Sequence, residues 1–439
     1  VPAQLDGNRR MKSPLNIFQR TMLDWNDLHP YNAAHVARIP GTVDLDRLTR
    51  VVNSLLEFHG LTNLALNRSR STFDYGGGAA NVELTALPGS GDPRESLAVE
   101  IERQLNTAFS IDGRFNPFRF VVVPNGDSFF LAVVYLHAIA DAESIVRLMQ
   151  HIVDAYRRGG ESSRFDPIRL ATGGSGKILR NPLRLARLLT SMPALMQIAR
   201  TSCRPRYLDA HNFQNAFSFL SLSGDSLQAL LTTAKALGAT LNDLFLALLL
   251  KSISPLATSR ERARKRRKIA LGSIVNIRKE LGVPGGTFGL FLGSFLVAHE
   301  IPENIRMTDL VRQIRRQTLR IKERKLYLGT PLQLAIGRAS RFVPVKSRGS
   351  VYQRYYPLWG GITNMNLNSM WEGGNDRMPD DYFRAVSTGP ATPLVFSVTT
   401  AREVLNIGIT YRSTVFAAAE IERIKGFLVD WEKQFQDRA

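Results

Sequence analysis

The chain has 439 residues, 44% of them apolar and 22% charged, an ordinary balance for a globular protein with sizeable cores. No apolar run approaches the ~18–20 residues of a membrane span, and the opening VPAQLDGNRRMK lacks an apolar signal core. A single cysteine, Cys203, excludes an intramolecular disulfide, so a reducing, cytoplasmic location is the expectation. Net charge is the outlier: 57 Lys and Arg against 38 Asp and Glu, formally +19. Such a surface attracts polyanions, among them coenzyme A, acidic carrier proteins, anionic membranes and nucleic acid.

Asn16–Leu28 and Leu45–His59 carry apolar residues at helical spacing. Strand-like runs follow. Phe115–Val122 reads as one strand, Pro124-Asn125-Gly126-Asp127 as a hairpin turn, and Phe129–Leu136 as a second, buried strand. That strand delivers His137 to its end, where a side chain can face a cleft. Asp141 follows, just ahead of the helically spaced Ile145, Leu148, Ile152 and Tyr156. Neutral imidazole accepts protons near neutral pH, so the pattern suggests a rigidly held general base. A structural account stands beside it. A strand-end histidine is often a satisfied polar group, Asp141 occupies a helix N-cap position, and Glu143 suits the first turn.

Arg157 to Lys177, rich in Gly, Ser and Arg, has the look of a linker. Lys177–Arg200 interleaves Leu and Ile with Arg and contains no acid. It reads either as a core-packing helix pair broken at Pro193 or as a basic amphipathic element that meets anionic lipid or guides a hydrophobic acceptor. A second half begins near Phe217. Ser226–Leu237 is helical, and Thr240 and Asn242 look like start residues for an almost wholly apolar helix ending at Ile253. Arg260–Lys268, RERARKRRK, is either a solvated loop or a polyanion contact. Ile269–Asn276 reads as a strand and Ala417–Phe435 as a closing helix.

Other signals fail on inspection. Gly173–Lys177 resembles the end of a phosphate loop, but Ala171 and Ile178 stand where glycine and a magnesium-binding hydroxyl belong. Gly76-Gly77-Gly78 reads as a flexible turn. Cys203 has basic neighbours but no evident positioned base. The remaining histidines are scattered, which argues against a metal site. The basic run has no interleaved aromatics, which argues against nucleic acid.

His137-Ala138-Ile139-Ala140-Asp141-Ala142 resembles the HHxxxDG signature of non-ribosomal peptide condensation domains and related acyl-thioester-dependent O-acyltransferases. Phe115–Val122 is similar to the "PFRF" strand that precedes it. Ser13-Pro14-Leu15 with Phe18-Gln19 resembles the family's opening substrate-gate segment, and Phe58-His59-Gly60-Leu61 sits where an "RHxxLR" helix end is usual. Thr240–Ala247 looks like "TxNDxxLAA", Val275-Asn276-Ile277-Arg278 like "VNxR", and Phe288-Gly289-Leu290-Phe291 like "FGN". Gly361-Ile362-Thr363-Asn364 is similar to a late "SNxG"-like strand. Two departures stand out: Leu136 replaces the first histidine and Ala142 the glycine. The added methyl is expected to narrow the channel or strain a glycine-dependent backbone angle.

The resemblance implies an α/β (α+β) fold of two chloramphenicol-acetyltransferase-like lobes, a V-shaped pseudo-dimer with a tunnel between them. Residues 1–160 would form the first lobe, 161–215 a crossover and 216–439 the second lobe. It further implies that His137 is the general base for a hydroxyl, or an amine, attacking an acyl thioester. Asp141 would pair with Arg278 across the lobes, while Ala142, Thr363 and Asn364 would line the tunnel. Core packing accounts for Thr363 and Asn364 equally well. The donor would be acyl-coenzyme A or an acylated phosphopantetheinyl carrier protein, with no metal or other cofactor. The rival reading is a non-catalytic condensation-like module that recruits a carrier protein or another partner.

Overall fold

In the computed structural model, residues 10–89, 91–158, 165–171, 182–338, 342–373 and 377–435 are described. Two main sheets dominate. The first has five strands in the order Asp381–Val386, Asn32–Pro40, Ser128–Leu136, Phe118–Asn125 and Leu84–Ala86. The second has six, in the order Asn215–Leu222, Val404–Arg412, Leu394–Ala401, Gly360–Asn366, Ile269–Asn276 and Leu292–His299. Helices pack on both, an α+β arrangement with no closed barrel among the described residues.

The central strand Ser128–Leu136, SFFLAVVYL, is buried along its whole length. Its aromatic and β-branched residues suit a pleated surface covered on both faces. Phe129, Leu131, Val133 and Tyr135 face a core shared with helices Leu45–His59 and Ala142–Arg157. Phe130, Ala132 and Val134 face helix Pro93–Leu105 and Phe217. The expected hairpin is present: Asn125 pairs with Ser128, and Gly126 supplies the positive φ (60°) of the two-residue turn.

The second core gathers around helix Leu241–Ile253, which is apolar because it is buried nearly all round. Thr240 caps it, Asn242 lies in its first turn, and Asp243 closes the reciprocal capping box. Of the two readings of this segment, the one with a break at Pro193 does not hold: Pro182–Thr201 is one helix with Pro193 inside it. Residues 172–181 and 159–164, which include much of the linker and the Gly173–Lys177 run, lie outside the described residues. The glycine turn is pinned, Thr62 and the Asn63 amide donating to Gly78 O and Gly77 O.

The two halves are not separate in chain order. Strand Asp381–Val386, from the second half, pairs with Asn32–Pro40 at the edge of the first sheet. Its Arg384 backbone also lies against Gly408 of the second sheet, where a Cβ would collide with the Arg384 carbonyl oxygen. Glycine is needed at that close approach. No single described helix is long and apolar enough to cross a membrane.

Candidate active site

His137 begins a short 3₁₀ turn, His137–Ile139, directly after the central strand. Its N–H donates to Tyr31 O (3.1 Å), and its ring stacks on Tyr31 and meets Tyr135 edge-on. Nδ1 lies 3.3 Å from Ala140 O. A carbonyl only accepts, so Nδ1 carries the proton and Nε2 the lone pair. The side chain is 8% exposed, and this burial pulls its pKa down to about 4, against smaller upward effects of Ala140 O and Asp141. At neutral pH the imidazole is therefore the unprotonated, proton-accepting form.

Asp141 caps the following helix. Its Oδ1 accepts from the Ser144 N–H (3.0 Å) and hydroxyl (2.9 Å), and Oδ2 accepts from the Phe291 N–H (3.1 Å). Arg278 Nη2 donates to Oδ1 at 2.7 Å and to Oδ2 at 2.9 Å, and its Nη1 to Thr287 O at 2.8 Å. The Asp141 N–H in turn donates to Gly289 O (2.9 Å). Glu143 accepts from Asn276 Nδ2 (2.6 Å) and stands 3.4 Å from Arg278 Nε. Aspartate from the first half and arginine from the second thus form one buried, hydrogen-bonded pair that braces the histidine turn. Both carboxylate oxygens of Asp141 are thus taken up by donors.

A cavity of about 40 Å³ lies beside this turn. Ser13, Phe18 and Gln19 line one side and Phe288–Leu292 the other. Gln19 also fixes the turn from outside, its Nε2 donating to Ala138 O at 2.9 Å. Neither His137 nor Thr363 nor Asn364 lines this cavity. Thr363 and Asn364 sit on the second sheet, in register with Ser397 and Val398. Thr363 O accepts from Arg384 Nη2 (3.2 Å), and Arg384 also donates to Thr399 Oγ1 (2.9 Å) and Val398 O (2.7 Å). Thr363 is thus held by packing in the sheet, and among the described residues neither it nor Asn364 bonds to His137, Asp141 or Arg278.

No family model matches the chain, and no curated protein sequence does. Solved structures do. The condensation domain from Monacolin K polyketide synthase MokA matches over 96% of this chain and 97% of its own, with 13% identity and a TM-score of 0.67. The first condensation domain of the calcium-dependent antibiotic synthetase, in complex with a substrate analogue, covers 98% of each chain at 14% identity and a TM-score of 0.63. The X-domain from teicoplanin biosynthesis covers 97% and 95%, at 16% identity and a TM-score of 0.59.

The chain has the condensation-domain fold.

Within that fold the two departures from the motif are accommodated. Leu136 is fully buried in the first core. Ala142 is the first residue of its helix and is absent from the residues with positive φ, so the expected glycine-dependent strain does not arise. Its methyl packs against the first core, half-buried.

Sequence reasoning missed several residues around the histidine turn. Ser144 completes an Asp-x-x-Ser pattern with Asp141, and Asn16 and Gln19 form a capping box at the same spacing, so both were legible. Arg384 was not, because one arginine in a short, mostly apolar strand reads as a solvent-facing residue. It is in fact 2% exposed. It lies on the sheet face of its register partner His35, which accepts from or donates to Tyr382 Oη at 2.7 Å. Burial lowers the Arg384 pKa to about 10, and its charge in turn disfavours protonation of His137.

Proposed function

We propose that the protein transfers an acyl group from an acyl thioester to an acceptor hydroxyl, or less favourably an amine, with His137 as general base. The carrying observation is the fixed tautomer: Nδ1–H is held on Ala140 O, leaving Nε2 as the basic nitrogen of a buried, neutral imidazole. In the step proposed, Nε2 takes the acceptor proton as the acceptor oxygen attacks the thioester carbonyl. The tetrahedral adduct collapses with loss of the C–S bond, and the departing thiolate takes the proton back from His137. No enzyme nucleophile is required. Asp141 and Arg278 hold the turn, and Thr363 and Asn364 belong to the sheet that faces it. Coenzyme A and an acidic carrier protein are both suited to the basic surface as donors, in natural-product or lipid biosynthesis.

The rival is a recruiting module without turnover. It is favoured by the slight exposure of His137 and by Leu136 in place of a second histidine. Mass spectrometry separates the two. Acyl-coenzyme A and acyl-carrier protein are supplied with pooled alcohols and amines, for the wild type and His137→Ala. A new ester or amide that vanishes in the variant supports the enzyme. Equal background in both, with retained carrier-protein binding, supports the module.

A further inference from the structure

Part of the chain's positive excess gathers where two distant stretches are stitched together. Helix Pro182–Thr201 ends against the basic run 260–268. The Cys203 N–H donates to Lys268 O (2.8 Å) and the Lys268 N–H to Thr201 O (3.0 Å). Arg266 Nη1 donates to Ala199 O (3.0 Å) and Ser202 O (2.9 Å), satisfying carbonyls at the negative end of the helix. Arg260 anchors the other end of the run on Ser254 and on the Glu300 and Ile301 carbonyls. Two arginines of RERARKRRK are therefore structural bolts.

The rest face water. Arg262, Arg264, Lys265 and Arg267 are exposed, and so are Arg200, Arg204 and Arg206 on the stretch bonded to them. Within 196–208 and 260–268 the only acid is Glu261. Arg206, Arg262, Arg264, Lys265 and Arg267 take part in no ion pair among the described residues. Two large apolar side chains stand out of the protein beside them: Met196, 54% exposed, and Leu208, 77% exposed. Met196 and Arg200 are four residues apart on one helix and share a face. An anchored cluster of cations flanked by projecting apolar side chains matches the layering of a lipid interface, with headgroup phosphates above acyl chains. It does not match a single-stranded nucleic-acid platform, because neither stretch has an exposed aromatic residue on which bases could stack.

We propose that this surface docks the protein on an anionic membrane, its cations on lipid phosphates and Met196 and Leu208 in the acyl boundary. The inference is independent of any chemistry at His137. The test is co-sedimentation of the full chain with sucrose-loaded vesicles of phosphatidylcholine alone or with about one-third phosphatidylserine. Binding is expected only to the anionic vesicles and weakens with salt. Changing Arg262, Arg264, Lys265 and Arg267 together to Gln should lower it by several hundredfold to about a thousandfold, and Met196→Ser with Leu208→Ser by severalfold. All six positions are exposed, and unchanged melting curves exclude misfolding. Absence of vesicle binding at physiological salt overturns the proposal. So does binding unmoved by the two serine substitutions, or tighter binding to RNA homopolymer or to an acidic carrier protein than to the anionic vesicles.

Discussion

Arg278 and Arg384 are both buried arginines that hold separate parts of the molecule together, Arg278 the two halves of the chain and Arg384 the two main sheets, and they do so by opposite means. Arg278 meets a carboxylate, with Nη2 on both oxygens of Asp141. Arg384 meets only neutral oxygens: Thr399 Oγ1, Val398 O and the carbonyl and hydroxyl oxygens of Thr363. The first is a matched pair whose loss strands a partner charge. The second is a buried cation without a counter-charge, whose field is left to act on its neighbours. A pair fixes geometry; a lone charge also sets electrostatics.

Breaking the matched pair should have the largest effect. Arg278→Met strands Asp141 and is expected to cost about 3–5 kcal/mol in urea unfolding, with loss of turnover. Asp141→Asn combined with Arg278→Met should cost less than the sum of the single variants, by about 0.5–3 kcal/mol in a double-mutant cycle. Additivity of the two would show that the pair does not couple the halves. Arg384→Met should cost less than Arg278→Met, about 1–3 kcal/mol for the unpaired carbonyls it leaves. It should also raise the His137 pKa, as read by NMR of labelled histidine. An unmoved titration would mean that Arg384 is only a staple.

The pH dependence sharpens the same contrast. The folded-state pKa of His137 lies near 4, below the usual imidazole value of 6.5. Between these values the unfolded chain binds the extra proton. The stability gained from a neutral His137 is complete above about 6.5 and declines as pH falls toward 4. Burial lowers His151 to about 4 as well, so the two losses overlap. In Arg384→Met the His137 part of that decline should narrow. If His137 is the base, the acid limb of turnover should sit well below 6.5. The smallest effect is expected at Ala142, where glycine should cost under about 1 kcal/mol without raising turnover.

The sequence exposed the parts of the site that are local. His137 at a strand end, Asp141 at an N-cap and the helix boundaries follow from spacing and capping chemistry within a dozen residues. Helix Leu45–His59 and strand Ile269–Asn276 have the ends that their patterns suggest. The meeting of Asp141 with Arg278 could be named only through a family resemblance, because no spacing links residues so far apart. Gly289 and Phe291 lie in the segment that resembles "FGN", but their bonds to the motif turn run through backbone groups, which no residue type marks. Pro193 misled for a physical reason: a proline costs one helical hydrogen bond, and the surrounding helix tolerates that loss. Arg384 was hidden because its strand belongs to a different sheet from those on either side of it in sequence.

That exchanged strand has a consequence for how the protein is made. The Asn32 N–H bonds Ser387 Oγ (3.1 Å) across 355 residues of chain, next to the pairing of Asn32–Pro40 with Asp381–Val386. While the ribosome is still building the second half, the first sheet has an open edge and His137 lacks the charge of Arg384. Closing that edge is a long-range event, slow by the entropy of the loop it must close. The nascent first half therefore keeps that edge unpaired until the last strands emerge, and the histidine turn is among the last places in the molecule to reach its final environment.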